Sequence, residues 1–221
     1  MRPLFITFEG LDGSGKSTHL SRLHRQLVAA GLEACVTHEP GGTPLGEEIR
    51  RLFLGAAERP LDGAVEVLLV FASRRQHLVE VIEPALAEGR IVLCDRFTDS
   101  TYAYQGWGRG VPLELIDRVD ELATGRRRPD RTLLFDLAPE EAHRRSQSKR
   151  RHREGSVNRL DREGLEFYAR VREGYLERAQ LEPERFRVLH SGAAAEETAR
   201  QVAAALDDLF PMTEEAGARR P

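Results

Sequence analysis

Apolar positions along this chain fall into two alternating patterns. Unbroken apolar runs occur at PLFITFE (3–9), ACVTH (34–38), IVLCD (91–95), RTLLFDL (centred on 133–137) and FRVLH (from Phe186). Runs of that length without polar alternation are expected of strands buried on both faces of a parallel sheet. Between them, apolar residues recur every three or four positions. Leu20, Leu23 and Leu27 share one stripe of a helix beginning at Lys16, and Gly31 stands where its C-cap belongs. The same spacing predicts helices over 44–54, 63–88 (closed by Gly89), 111–124, 139–147, 160–179 and 194–209. The stretch after Asp95 reads as loop. Strands alternating with helices predict an α/β fold, a five-stranded parallel sheet with helices on both faces. No internal repeat is visible, so residues 1–210 read as one domain. The polar, aperiodic tail 211–221 is expected to be disordered.

The turn after the first run changes this picture from architecture to chemistry. It reads Gly10-Leu11-Asp12-Gly13-Ser14-Gly15-Lys16-Ser17-Thr18, matching G-x-x-x-x-G-K-[ST] between a predicted strand and a predicted helix. That context makes the sandwich one of the P-loop NTPase type. The glycines allow backbone amides to converge on phosphate oxygens, as in an ATP-binding loop. Lys16 supplies a point charge for the β- and γ-phosphates, and Ser17 an oxygen for Mg²⁺. Asp95 ends the IVLCD strand at the sheet edge where ligands bind, placed to join the Mg²⁺ shell or to orient a nucleophile. A helix N-cap is the bland alternative for Asp95. Arg96, next to it, can grip a phosphate bidentately.

Composition adds limits. Charged residues make up 31% and apolar residues 40%, with a formal charge of −3. That balance gives no global attraction to nucleic acid or anionic membrane, so any polyanion site is built locally. Cys35 and Cys94 have no metal-ligand or Cys-x-x-Cys spacing and read as buried, reduced thiols. MRPLFITFEG has too short an apolar stretch for a signal peptide, and no run has the length of a membrane span, so the cytoplasm is the expected location. The basic stretch 125–129 reads as an exposed helix end.

A phosphate loop alone does not separate kinases from switches or motors. No Asn-Lys-x-Asp guanine-reading motif occurs. Arg50, Arg75 and Arg96 instead lie on three segments beyond predicted strands, more cations than a triphosphate already held by Lys16 requires. They imply a second phosphorylated substrate and phosphoryl transfer between nucleotides.

The stretches FEGLDGSGKST, EPGGTPLGEEIR, FASRRQHLVEVIEPAL, DRFTDSTYAYQG and NRLDREGLEFYARVREGYLE together resemble the thymidylate kinase family over nearly the whole chain. EPGGT combined with DR-(aromatic)-x-x-S-x-x-AYQG is far more specific to that family than the phosphate loop. The resemblance implies transfer of the γ-phosphate of ATP to dTMP, with Mg²⁺, by an enzyme that is usually a homodimer and binds no nucleic acid. It implies that Arg50 and Arg96 bind the dTMP phosphate, Phe71 stacks on the thymine, and Arg75 hydrogen-bonds the base. Thr101 would meet the base edge, Tyr104 would select deoxyribose, and Asp12 would face the acceptor's sugar.

Positions 11–14 of the loop carry no arginine. The compensating cation is expected in a lid at about 147–159, which supplies Lys149, Arg150, Arg151, Arg153 and Arg159 and resembles that of bacterial-type enzymes. Arg151 or Arg153 is the expected catalytic arginine, closing on the ATP phosphates. Three positions depart from the family pattern: Phe97 for the tyrosine of DRY, Asn158 beside Arg159, and Arg74 beside Arg75. Other P-loop nucleotide kinases are the nearest alternative reading. A nucleic-acid-binding ATPase using Arg144 and its neighbours is the alternative from another class.

Overall fold

The computed structural model describes residues 2–55, 60–151 and 159–210, leaving aside the side chains of 149–151 and 161. Strand β1 (Leu4–Glu9) is buried at each of its positions, as its unbroken apolar run requires. It is the central strand of a five-stranded sheet ordered β2–β3–β1–β4–β5, with every neighbouring pair parallel. The others are β2 (Ala34–His38), β3 (Ile91–Asp95), β4 (Arg131–Asp136) and β5 (Phe186–His190). Register places Phe8 and His38 both opposite Asp95, so three strands deliver their carboxyl ends to one edge.

Helix α1 (Lys16–Ala29) presents Leu20, Leu23 and Leu27 to Leu4, Ile6 and Phe8 on one sheet face, shared with Val202 of α9 (Ala195–Ala204). Gly31 follows its cap at φ 76°, and the amides of Gly31 and Leu32 bond the carbonyls of Val28 and Leu27. That pairing closes the helix as a left-handed glycine termination does. The opposite face packs Phe5, Val92 and Cys94 against Leu78, Ile82 and Phe97. Beyond it lie α2 (Pro44–Gly55), α3 (Gly63–His77), a π-helical turn Leu78–Ile82 and α4 (Glu83–Ala87), the last three continuous as the sequence predicts for 63–88. Helices α6 (Leu113–Thr124), α7 (Pro139–Arg151) and α8 (Leu165–Leu181) complete the outer layers.

One segment corrects the expectation. After Asp95 the chain forms α5 (Thr98–Thr101) and a π-helical stretch Tyr102–Gly108 in place of a loop. Aromatics and two glycines give it poor intrinsic helicity. Packing supplies the difference: a Cβ on Gly108 would lie 2.7 Å from the Phe167 ring, and one on Gly106 2.6 Å from Leu113. Helix α7 also runs past the expected end at 147. Cys94 is buried but Cys35 only half-buried, and both are free. The expected tail 211–221 lies outside the described residues. Among the described residues, no helix is long and apolar enough to cross a membrane.

Candidate active site

The loop between β1 and α1 has Gly10, Gly13 and Gly15 at φ 132°, 90° and 95°. The first two also need the missing side chain. Added Cβ atoms would lie 2.5 Å from the Phe135 carbonyl oxygen and 2.4 Å from that of Ala142. Helix α1 has no side-chain cap and no acid in its first turn, so no side chain of its own competes with an anion at its N-terminus. Lys16 is buried, and its Nζ donates to the carbonyls of Gly10 (2.9 Å) and Leu11 (3.0 Å). Burial, reinforced by Arg96, pulls its pKa down to about 8 against the opposing pull of Asp95 and Asp12. Thr18 is exposed on the first turn, its amide bonded to the Gly15 carbonyl.

Ser17 Oγ donates to Asp95 Oδ2 at 2.8 Å, uniting the two expected Mg²⁺ ligands across the sheet edge. Among the described residues, no group of three His, Cys, Asp or Glu could hold a metal alone. One hydroxyl and one carboxylate, both hard oxygens on the wall of the phosphate cleft, fit a Mg²⁺ that completes its shell with phosphate and water. Beneath them Glu9, fully buried, accepts from the Phe97 amide (2.7 Å), Ser100 Oγ (2.6 Å) and Tyr175 OH (3.0 Å). Burial and then Asp99 push its pKa up to about 7.

Arg96 holds a left-handed backbone, φ 73°, that a non-glycine residue keeps only when its surroundings fix it. Its amide bonds the Phe8 carbonyl. Its guanidinium donates to Asp12 Oδ1 (2.7 Å), Tyr175 OH (3.0 Å), Ser100 Oγ (3.1 Å) and Tyr104 OH (3.2 Å). Asp12, expected to face a sugar, is thus engaged with Arg96, and the same oxygen lies 3.9 Å from Lys16 Nζ.

A cleft of about 730 Å³ runs along the loop past Ser17, His38 and Asp95. Asp12, Glu39, Arg50 and Arg96 line both it and a smaller cavity of about 120 Å³. The smaller cavity also gathers Thr101 and Tyr104, as the sequence reading expects. Arg50 reaches it from α2, with Nη1 on the Pro40 carbonyl at 2.8 Å.

Two expected residues are displaced. Arg75 is exposed and turns to the Ala123 carbonyl of α6, at 3.4 Å, away from the cavity. Phe71 is buried outside the cavity lining, with the Arg74 guanidinium 4.6 Å above its ring. The cavity receives Val70 and Arg74 instead, one helical turn apart on α3. Arg74 Nε donates to Glu39 Oε2 (2.6 Å) and Nη1 to Thr101 Oγ1 (3.1 Å). The expected pair was therefore one residue, about 100° of helix, out of register.

The lid proper falls outside the described residues, including Arg153 and the side chain of Arg151. Arg159 departs from the expectation of a lid cation. It is buried over the Phe53 ring and pairs with Glu66, a fully buried carboxylate that Gln105 and Arg109 also hold. Arg159 is the first described residue after the undescribed part of the expected lid segment.

A thymidylate kinase family model matches residues 8–202, which span the loop, both cavities and strands β2 to β5. The chain belongs to the thymidylate kinase family. It is 47% identical over 216 residues to the thymidylate kinase of Ectopseudomonas mendocina, covering 98% of this chain and 99% of the relative. It is 47% identical over 212 residues to that of Pseudomonas syringae pv. syringae, covering 96% and 97%. The crystal structure of the Ehrlichia chaffeensis thymidylate kinase superposes with a TM-score of 0.75 at 35% identity, covering 94% of this chain and 99% of that one. Around the smaller cavity, sequence reasoning missed Glu39, Val70, Arg74 and Gln105 as lining residues. Glu39 and Gln105 stood inside quoted motifs. The four-residue spacing of Val70 and Arg74 was the available signal, but Phe71 and Arg75 show the same spacing.

Proposed function

We propose that this chain transfers the γ-phosphate of ATP to dTMP, giving dTDP and ADP, with the donor on the loop side of Asp12 and the acceptor on the arginine side. The observation that carries this division is the Asp12 bridge. One carboxylate oxygen lies 2.7 Å from Arg96 Nη2 and 3.9 Å from Lys16 Nζ. It thereby fixes the spacing between a donor-side ammonium and an acceptor-side guanidinium. Phosphoryl transfer needs little covalent help from protein and depends on in-line positioning and on charge opposite the transferring oxygens. Lys16 and backbone amides of the loop that runs from Gly10 to Thr18 hold the donor phosphates. Arg50 and Arg96 hold the acceptor phosphate. Ser17 and Asp95 would hold Mg²⁺, which neutralises phosphate charge when bound.

Arg74 takes the role first given to Arg75. As a donor-only group it suits a pyrimidine carbonyl, while Thr101 beside it meets the base edge. Val70 lines the cavity where a stacking ring was expected, and Phe71 supports Arg74 from below. Tyr104, packed against Arg96, closes the space that a 2′-hydroxyl would need. Arg151 or Arg153 would supply the remaining cation, because positions 11–14 of the loop carry no base to set beside Lys16; alanine at the correct position should lower turnover more than tenfold.

The deciding experiment is a coupled ADP-release assay with ATP, Mg²⁺ and a panel of monophosphates. Release dependent on dTMP is expected. Equal activity with dCMP, AMP or no acceptor would overturn the reading. We further infer a cytoplasmic homodimer. The free thiols Cys35 and Cys94 suit a reducing compartment. Leu52, Leu68 and Leu122 expose apolar surface on α2, α3 and α6. Sedimentation should show a species of twice the 24.9 kDa chain mass.

A further inference from the structure

The turn EPGGT is docked on α3 through a buried chain of polar contacts that phosphate transfer itself does not use. Both oxygens of Glu39 are engaged: Oε2 accepts from Arg74 Nε at 2.6 Å, and Oε1 meets His77 Nδ1 at 2.9 Å. His77 is fully buried, and its Nε2 lies 2.6 Å from Thr37 Oγ1 on β2. An ionised carboxylate only accepts, so Nδ1 carries the proton that joins His77 to Glu39. The chain then runs Thr37–His77–Glu39–Arg74–Thr101, linking β2, α3 and α5.

The turn is shaped around the histidine ring. Gly42 sits at φ 77°, and a Cβ there would lie 2.6 Å from the ring and 2.8 Å from Thr37 Oγ1. Gly41 donates its amide to Ser73 Oγ on the same face of α3. An arginine side chain has several rotatable bonds, and a contact with its end group alone leaves its direction open. Here one edge is gripped by Glu39, which is gripped in turn from behind, so only the part of the guanidinium facing the cavity is left to a ligand.

We propose that His77 is a positioning residue for acceptor-base recognition. It holds Glu39, which sets the direction of Arg74 and so favours a pyrimidine with a carbonyl at that edge over one with an amino group. This rests on the reading of the cavity as the acceptor site. It makes His77 a determinant of base choice without contact with the base.

The test is steady-state kinetics on the full chain with dTMP and dCMP as acceptors, with calorimetric titration of dTMP and thermal melts alongside. His77→Leu should raise KM for dTMP by about tenfold or more, the scale of one misdirected charge-assisted hydrogen bond. The dTMP preference over dCMP should fall by a similar factor, with KM for ATP within twofold. His77→Asn places its amide nitrogen where Nδ1 was and should recover dTMP use to within about threefold. His77→Gln directs its amide toward Thr37 and should not recover it. Should His77→Leu fail to fold, the Asn and Gln variants decide alone. An unchanged KM for dTMP in His77→Leu, or Asn and Gln variants that behave alike, would overturn the proposal. A wild-type chain that releases no ADP with dTMP would instead overturn the reading of the reaction.

Discussion

Glu9 ends β1 with a fully buried carboxylate that accepts from three protein donors. Its pKa of about 7 against an ordinary 4.5 makes a signed prediction. Between those values the folded chain keeps a proton that the unfolded chain has released, so folding loses stability as pH rises through that window. Above about 7 both states are ionised and the loss is constant, on the order of 3 kcal/mol. Glu9→Gln mimics the protonated form, because its amide can still accept from Phe97 and donate to the two hydroxyls. Melting curves from pH 4.5 to 7 should show the variant gaining on wild type as pH rises; parallel curves would mean that Glu9 does not titrate there. Lys16 acts in the opposite pH range. With its pKa near 8, the unliganded enzyme loses the ammonium above that value. The kcat/KM for ATP should therefore bend downward near pH 8 and fall about tenfold per further unit. Neither shift was legible in the sequence, since each depends on burial. What the sequence did carry at this scale was residue type: Lys16, Ser17, Asp95, Arg50 and Arg96 meet where the motif spacing implied. It could not choose between Val70/Arg74 and Phe71/Arg75, because periodicity fixes spacing along a helix and only packing fixes which stripe faces inward.

At the scale of elements, the strands were readable because burial on both faces leaves an unbroken apolar run. The helix after Asp95 was not, because TYAYQG has poor helical propensity and is helical through its contact with α8. That contact depends on bare backbone: a Cβ on Gly174 would lie 2.8 Å from the Trp107 ring. Gly174→Ala should destabilise the chain by about 1–3 kcal/mol, the usual effect of overpacking, measured by urea unfolding. The other joint is Glu66, which binds α3 to Gln105 of the π-helical stretch, to Arg109 and to Arg159, where the expected lid segment ends. Removing one partner of a buried ion pair leaves a desolvated charge, so Glu66→Ala should cost about 3–5 kcal/mol. Because Arg159 ends the segment expected to act as a lid, turnover should fall as well in protein that is still folded at low temperature. Full turnover in a destabilised variant would show that Glu66 supports the fold without supporting the lid.

For the whole molecule, a net charge of −3 coexists with a cleft that concentrates Lys16, Arg50, Arg74 and Arg96. The cations are therefore gathered by the fold, each delivered by a different element, and become a site only in the folded state. A ligand that binds that state alone stabilises it by mass action, by about 2.7 kcal/mol at a hundred times its Kd. For a domain of this size each kcal/mol moves Tm by about 2–4 °C, so dTMP at that concentration should raise Tm by roughly 5–10 °C. The discrimination argued for Arg74 appears in the same measurement. At equal concentration dCMP should give less than half that shift, because an amino group would stand opposite a group that can only donate. Single-stranded DNA should give none, since Asp12 and Glu39 interrupt the basic wall that a continuous backbone would follow. A shift with DNA equal to that with dTMP would make the cleft a general polyanion site and remove the case for a dedicated acceptor pocket.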